Sequence, residues 1–229
     1  MIAVVIPALN EAANIAAVVQ DILAQNITDL IIVVDNGSTD QTAQVAAAAG
    51  AQVVSEPRRG YGFACAAGSH AAIANGADII VYIDADHSSR PQEMSRLLEP
   101  LAKNQADLVL GSRVLGHIAE GAMLPHQRFG NWLSSSVMNK LYKVNMTDLG
   151  PYRAIRVELL QTLQMREMTF GWPTEMTVKS LRHKARVIEV PVSWHQRHSG
   201  QSKVSGTIRG SLLAAWYILS VIIKGIFGE

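Results

Sequence analysis

Five short apolar runs, each ended by turn residues, constrain the fold more than any other feature of the chain. They are IAVVIPALN, DLIIVVDNGSTD, AQVVSEP, DIIVYIDAD and DLVLGSR. Apolar runs of this length, bounded by turn signals, read as buried strands. Between them, EAANIAAVVQDILAQ carries apolar residues at helical spacing. Thr39-Asp40 opens an Ala-rich helix over Gln41–Ala49 that Gly50 closes, and GFACAAGSHAAIANG is a helix bounded by glycines. Pro91 falls where the first turn of a helix accepts it. Strands alternating with helices imply an α/β fold, a mostly parallel sheet with helices on both faces.

In such sheets ligands bind beyond the carboxyl ends of the strands. Four polar clusters fall at those ends: Asn10-Glu11, Asp35-Asn36-Gly37-Ser38, Asp84 with Asp86, and Gly111-Ser112-Arg113. On an extended backbone Asp84 and Asp86 point to the same side. Two like charges held together need a positive partner. Hard divalent cations take oxygen ligands, and Mg²⁺ is commonly held by one or two carboxylates plus substrate phosphates. The pair therefore reads as a metal-diphosphate clamp; His87 adjoins it and could touch metal or phosphate, but such a histidine is more often a neighbour without a role. Arg58-Arg59 precede Gly60-x-Gly62, but Cys65 stands where a dinucleotide fingerprint needs its third glycine. These glycines are expected to bring backbone N–H groups to a phosphate.

The net charge of +1 hides a split. Residues 1–112 hold 5 Lys/Arg against 12 Asp/Glu, and residues 113–229 hold 15 against 7. That division suits a cleft with an acidic, metal-tolerant side and a basic, anion-accepting side. The basic half offers Arg113, Arg128, Arg153, Arg197 and Lys203 on separate segments, and the arginine fork matches phosphate geometry. RHSGQSKVSG reads as a mobile loop able to close over an anion. His195 and His198 lack the H-E-x-x-H context of a zinc site. Past residue 115 the alternation weakens: a helix over Asn131–Tyr142, irregular chain, a helix in EMTVKSLRHKA and a strand in RVIEVPVSW. The lone Cys65 excludes an internal disulfide framework. The start, MIAVVIPALNE, has no signal-peptide pattern. The end is apolar from Leu212 to Ile223 apart from Ser220, too short to span a bilayer. With Trp216-Tyr217, Arg209 and Lys224 it reads equally as an interfacial helix or as one packed on the domain or on another subunit. Residues 1–210 are thus expected to form one domain and 211–229 an apolar helical tail.

Together, IPALNEAANI, VVDNGSTDQT, RRGYGFACAAG, YIDADHSSRP, LVLGSR and VIEVPVSWHQRHSGQSKVSG resemble family 2 glycosyltransferases of the GT-A type. Within that family the chain is most similar to the dolichyl- and polyprenyl-phosphate hexosyltransferases. The resemblance implies a Rossmann-like GT-A sheet, a nucleotide-sugar donor such as GDP-mannose or UDP-glucose, and Mg²⁺ or Mn²⁺. It implies a donor site at Pro7, Asn10, Glu11, Asp35, Gly37, Arg59, Gly60, Asp84 and Ala85, with Asp84 and Asp86 as metal ligands. It also implies that Arg113, Arg128, Arg197 and Lys203 hold the acceptor and donor phosphates, and that displacement occurs with inversion. Asp148 is the candidate base if one is needed. Asn36 stands where the family often has a second Asp, and DLGPYR is shorter than the D-L-T-G-S-F-R pattern of the branch.

The expected acceptor is a polyprenyl phosphate, met by a cytoplasmic protein at the inner face of the membrane through peripheral contact. No nucleic-acid partner is expected, and a homo-oligomer is compatible with the apolar tail. Two alternatives stand beside this reading. One is a family 2 enzyme with a soluble acceptor. The other is a catalytically silent nucleotide-sugar binding protein.

Overall fold

The computed structural model describes residues 1–198, 216–223 and 225. Seven strands form one sheet in the order β3-β2-β1-β4-β6-β5-β7. In chain order these are β1 (Ile2–Ala8), β2 (Leu30–Asp35), β3 (Gln52–Ser55), β4 (Ile79–Tyr82), β5 (Leu108–Ile118), β6 (Arg153–Arg156) and β7 (Val187–Trp194). Only β6 runs antiparallel to its neighbours, β4 and β5. The helices are α1 (Ile15–Gln25), α2 (Thr42–Ala48), α3 (Tyr61–Ala74), α4 (Met94–Ala102), α5 (Pro125–Tyr142), α6 (Val157–Leu163) and α7 (Trp172–Arg182), with a 3₁₀ turn at Pro91–Glu93 before α4.

The central strands read as unbroken apolar runs because both of their faces are buried. Alternate residues serve opposite layers. Val4, Ile6, Ile31, Val33 and Val81 pack with α1, α2 and α4, while Ala3, Val5, Ile32, Val34 and Ile80 pack with α3, α6 and α7. Helix α3 lies close on the sheet at Gly68, where an added Cβ would come within 2.9 Å of the Val34 side chain.

The parallel α/β sheet with helices on both faces is as expected, and the differences have local causes. Strand β6 and helix α6 occupy chain read as irregular, because RAIR places two arginines in four residues and masks a strand. The fourth strand ends at Tyr82, and a turn carries Asp84 to His87, so the two aspartates are not on extended chain. Helix α5 begins at Pro125, ahead of the expected Asn131. Helix α7 spans Trp172–Arg182, earlier than EMTVKSLRHKA suggested. Strand β5 continues past Arg113 to Ile118 along β7, with a shift in register after Ser112.

Of the expected tail, residues 216–223 are helical. Ile222 is buried in a small cluster with Met138 of α5 and Val178 of α7, and the Tyr142 hydroxyl donates to the Ile222 carbonyl at 2.8 Å. Trp216 is 70% exposed. The expected division at residues 210/211 lies outside the described residues. Among the described residues no helix is long and apolar enough to cross a membrane.

Candidate active site

The sheet order reverses between β1 and β4: the chain winds outward through β2 and β3, then crosses back to pair β4 with β1. Such a switch point leaves a crevice at the strand ends. Asn10 and Glu11 follow β1 on one side of it, and Asp84 to His87 follow β4 on the other. Position in the topology brings these groups together, although 73 residues separate Glu11 from Asp84.

On the β1 side, Glu11 is fixed at the backbone by its N–H donating to Thr42 Oγ1 at 2.8 Å, and at the side chain by Asn14 Nδ2 at 2.7 Å. Asn10, at φ 53°, accepts the Thr39 N–H at 2.7 Å, while its own N–H donates to Ser38 Oγ at 2.9 Å. Asp35 Oδ1 accepts the Ser38 N–H at 3.1 Å across a turn in which Gly37 adopts φ 77°. Arg59 donates to the Gly37 carbonyl at 3.0 Å. Pro7 lies in β1 opposite Val34. The residues expected at the nucleoside end thus share one edge of the sheet.

Asn36, the departure from the acidic pair, is a tie. Its amide donates to the carbonyls of Glu56 and Arg58 at 2.9 and 2.7 Å and accepts the Gly60 N–H at 2.9 Å. Gly60 N–H is therefore already engaged, which differs from the expected phosphate cradle. The smallness of both glycines has a packing reason. A Cβ on Gly60 would lie 2.5 Å from the Met168 carbonyl oxygen, and one on Gly62 would strike Glu167 and Met168 backbone.

On the β4 side, Ala85 is buried and Asp86 Oδ1 accepts both the N–H and the hydroxyl of Ser88, at 3.0 and 2.6 Å. Tyr61 OH donates to Asp84 Oδ1 at 3.4 Å. Burial raises the Asp84 carboxyl to about 7, the adjacent Asp86 charge adds to the rise, and Arg113, the Tyr61 hydrogen bond and Arg197 oppose it. His87 is turned away, at φ 63°, with Nε2 2.9 Å from Asp21 Oδ2.

The end of β7 closes over this turn. His195 and His198 donate their backbone N–H groups to the carbonyls of Ser88 and Asp86, at 2.8 and 3.2 Å. Between them Arg197 bridges the crevice: Nη1 donates to Asp86 Oδ2 at 2.8 Å and Nη2 to Glu11 Oε1 at 2.5 Å. A guanidinium thus supplies the positive partner that the acidic edge requires.

Arg113 and Asp148 form a separate pair beside it. Arg113 donates through its backbone N–H and Nε to Asp148 Oδ2, at 2.8 and 2.7 Å, and through Nη2 to Oδ1 at 2.6 Å. Its guanidinium also lies 4.9 Å over the Trp194 ring. Burial pulls the Arg113 pKa down, but Asp148, with the Asp84 charge added, holds it above the ordinary value. Glu189 accepts the N–H groups of Thr147 and Asp148, at 2.9 Å for the latter, and so fixes the loop. Arg128 sits on α5 and donates to the Met123 carbonyl at 3.3 Å. Lys203 lies outside the described residues.

Several supporting residues were not singled out from sequence: Asn14, Thr42, Tyr61, Ser88 and Glu189. Only Ser88, two residues after Asp86, carried a local signal, since an Asx-type turn needs such a donor.

The glycosyl transferase family 2 model matches residues 3–164. The chain belongs to that family. An uncharacterized glycosyltransferase of Mycobacterium tuberculosis is 39% identical over 223 residues, covering 96% of this chain and 98% of the relative. The undecaprenyl-phosphate mannosyltransferase of Micrococcus luteus is 32% identical over 193 residues, covering 79% and 77%. Glucosyl-3-phosphoglycerate synthase of M. tuberculosis, solved with Mn²⁺, UDP and phosphoglyceric acid, superposes with a TM-score of 0.75 at 25% identity, covering 97% and 78%. The protein is a family 2 glycosyltransferase with a GT-A-like fold, close to the polyprenyl-phosphate hexosyltransferases.

For this glycosyltransferase the donor set can be tested against a divalent cation. Among the described residues no cluster of three His, Cys, Asp or Glu side chains is disposed to hold a metal. Asp84 and Asp86 supply hard oxygen ligands from one turn, and Arg197 already places a cation against Asp86. That set fits a metal that arrives with phosphate oxygens, as Mg²⁺ or Mn²⁺ does with a diphosphate, better than one caged by protein alone.

Proposed function

We propose that the protein moves a hexose from a nucleotide sugar, GDP-mannose or UDP-glucose, to a polyprenyl phosphate, in one displacement with inversion. The single observation that carries this reading is the Arg197 bridge across the switch point. It links Glu11, on the side proposed for the nucleoside, with Asp86, on the side proposed for the diphosphate. The mannosyltransferase of M. luteus supports the lipid acceptor by its name. The synthase from M. tuberculosis supports a nucleotide donor with Mn²⁺ by what it was solved with.

In this reading Pro7, Asn10, Glu11, Asp35, Gly37 and Arg59 line the nucleoside end, and Gly60 and Ala85 shape its floor. Asp84 and Asp86 would hold the cation, which would stabilise the charge of the departing diphosphate. Arg197, with Lys203 from the same stretch of sequence, would receive a phosphate. Arg113 and Arg128 receive the acceptor phosphate. A phosphate monoester has a second pKa near 6, so the acceptor is already a nucleophile at neutral pH and needs positioning more than deprotonation. Both oxygens of Asp148 are taken by Arg113. We therefore assign Asp148 to holding Arg113 in place and not to proton abstraction. A membrane-borne acceptor puts the protein at the inner face of the membrane, where nucleotide sugars are made, in peripheral contact.

The second reading, a soluble phosphorylated acceptor, is favoured by the phosphoglyceric acid bound to the structural neighbour. One experiment separates the two. Thermal shift with GDP-mannose and UDP-glucose, with and without Mn²⁺, identifies the donor, and radiolabelled transfer is then measured to long-chain polyprenyl phosphates and to small phosphorylated acids. Transfer to the small acids alone discards the lipid reading. Donor binding without transfer to either class discards catalysis.

A further inference from the structure

Helix α5 packs apolar residues inward only toward its C-terminal end, where Val137, Met138 and Tyr142 join a small cluster. Its inward side carries Asn131, Ser134, Ser135 and Met138; the two serines and the methionine are buried. Its outward side carries Phe129 and Trp132, each 60% exposed, with ring centroids 5.7 Å apart. Lys140, exposed on the same outward stripe, follows Phe129 by three helical turns. A helix in water turns its apolar stripe inward, so an aromatic pair held outward marks a face built to meet something else. The charge along this stretch of the chain has one sign. From residue 121 to residue 147 there is no Asp or Glu, while Arg128, Lys140 and Lys143 are all exposed.

We infer that this face of α5 docks on the surface of an anionic phospholipid bilayer. The cations complement acidic headgroups, and paired aromatic rings suit the headgroup boundary. A second copy of the chain is a poorer match, because a two-fold contact would set these cations against their own copies with no carboxylate in the segment to pair them. The face is also mechanically joined to the site. Asn131, on the inward side, donates through Nδ2 to the Thr147 carbonyl and accepts the Leu149 N–H, each at 3.2 Å. It thereby clasps the backbone on both sides of Asp148, which holds Arg113. A bilayer docked on α5 would lie one helix thickness from the pair proposed to receive the acceptor phosphate. The inference rests on the lipid-phosphate reading above and adds which surface meets the lipid.

The test is co-sedimentation of the full chain with vesicles of phosphatidylcholine alone and of phosphatidylcholine mixed with phosphatidylglycerol. Wild type should partition to the mixed vesicles, and Phe129→Ser with Trp132→Ser should weaken that partitioning by at least about tenfold, a 1.4 kcal/mol change. Lys140→Gln should weaken it by a smaller factor, and all variants should keep the melting temperature and the nucleotide-sugar thermal shift of wild type. Trp216→Ser tests the tail in parallel. Vesicle binding lost with Trp216→Ser but kept in the α5 double variant overturns the assignment, as does no wild-type binding to the mixed vesicles. A wild-type dimer that the double variant turns to monomer, with vesicle binding unchanged, makes the face a self-association surface instead. Vesicle binding needs no sugar transfer, so failure of the acceptor reading shows separately, as bound protein that transfers nothing to lipid.

Discussion

Two arginine–carboxylate contacts stand side by side at the ligand edge, and they are built differently. Asp148 is fully buried and accepts three hydrogen bonds from Arg113, and its loop is clamped from behind by Glu189. Arg197 makes one hydrogen bond to Asp86 and one to Glu11, on opposite sides of a crevice. Its buried Nε finds no partner among the described residues. The first contact is multiply determined and has no reason to exchange. The second gives each of its two carboxylates a single hydrogen bond from Arg197. Identical chemistry thus serves as a three-bond strut on one carboxylate in one place and as a bridge between two carboxylates in the other.

The strut is the easier of the two to break with a large effect. Asp148→Ala leaves the Arg113 guanidinium charged and partly buried with, among the described residues, no carboxylate bonded to it and only the Trp194 ring in cation–π contact, and breaking a buried pair from one side costs about 3–5 kcal/mol. We expect that loss in urea unfolding of the ligand-free protein, with circular dichroism as the readout. A change below about 1 kcal/mol would mean that water replaces the carboxylate freely and that the strut is no strut. Asp86→Asn should act on the other axis. It should lower turnover by about 10²-fold or more, the scale of a lost charge-stabilising contact of a few kcal/mol. Ligand-free melting should barely move, because Asn retains an acceptor for Ser88. Near-normal turnover that still depends on added metal would remove Asp86 from the site.

Arg197→Ala sharpens the contrast. If the bridge is replaceable, its removal opens the crevice to water, which solvates Glu11 and Asp86, and the loss of ligand-free stability stays well below the about 3–5 kcal/mol expected of Asp148→Ala. The acceptor should weaken by about 1.5–3 kcal/mol, the range for a hydrogen bond to a charged group. Steady-state kinetics with each substrate varied in turn provide the check. A donor Michaelis constant that rises while the acceptor constant stays put would place Arg197 with the nucleotide.

The sequence made some of this legible for physical reasons. Strands β1, β2 and β4 are buried on both faces, so each is a continuous apolar run and its end is marked by the first polar residue. The carboxylates Glu11, Asp84 and Asp86 could be placed on one edge from that pattern alone. Strand β6 could not, since Arg153 is buried by contacts with the carbonyls of Gly150 and Pro173 that no periodicity announces. Nor could the contact of Arg197 with Glu11 be read, because 186 residues separate them and only the winding of the sheet joins them. Gly60 and Gly62 carried a real signal for close approach but not its object, which is the Glu167–Met168 backbone. The outward aromatics of α5 were invisible because inward and outward are not defined until a neighbour is known.

The smallest expected effect is a pH dependence of stability that added metal should reverse. Burial first, and the Asp86 charge second, raise the Asp84 carboxyl from 3.8 to about 7. Between those values the folded protein keeps a proton that the unfolded chain has released. The unfolded state therefore binds fewer protons, and stability from this group falls as pH rises from about 4 to about 7. It is fully present below that window and lost above it. Asp84→Asn removes the titration, so in EDTA the variant should gain melting temperature relative to wild type as pH is raised from 5 to 8. Mn²⁺ should reverse the trend in wild type, since the cation takes the deprotonated form and its stabilising effect grows as pH passes about 7. Arg197→Ala ties this back to the bridge, because Arg197 is one of the groups that hold the Asp84 value down. In that variant the onset of Mn²⁺ stabilisation should move to higher pH. A wild-type minus Asp84→Asn difference that stays flat from pH 5 to 8 in EDTA would show that Asp84 is not held protonated by its burial, and that Arg113 and Arg197 offset that burial.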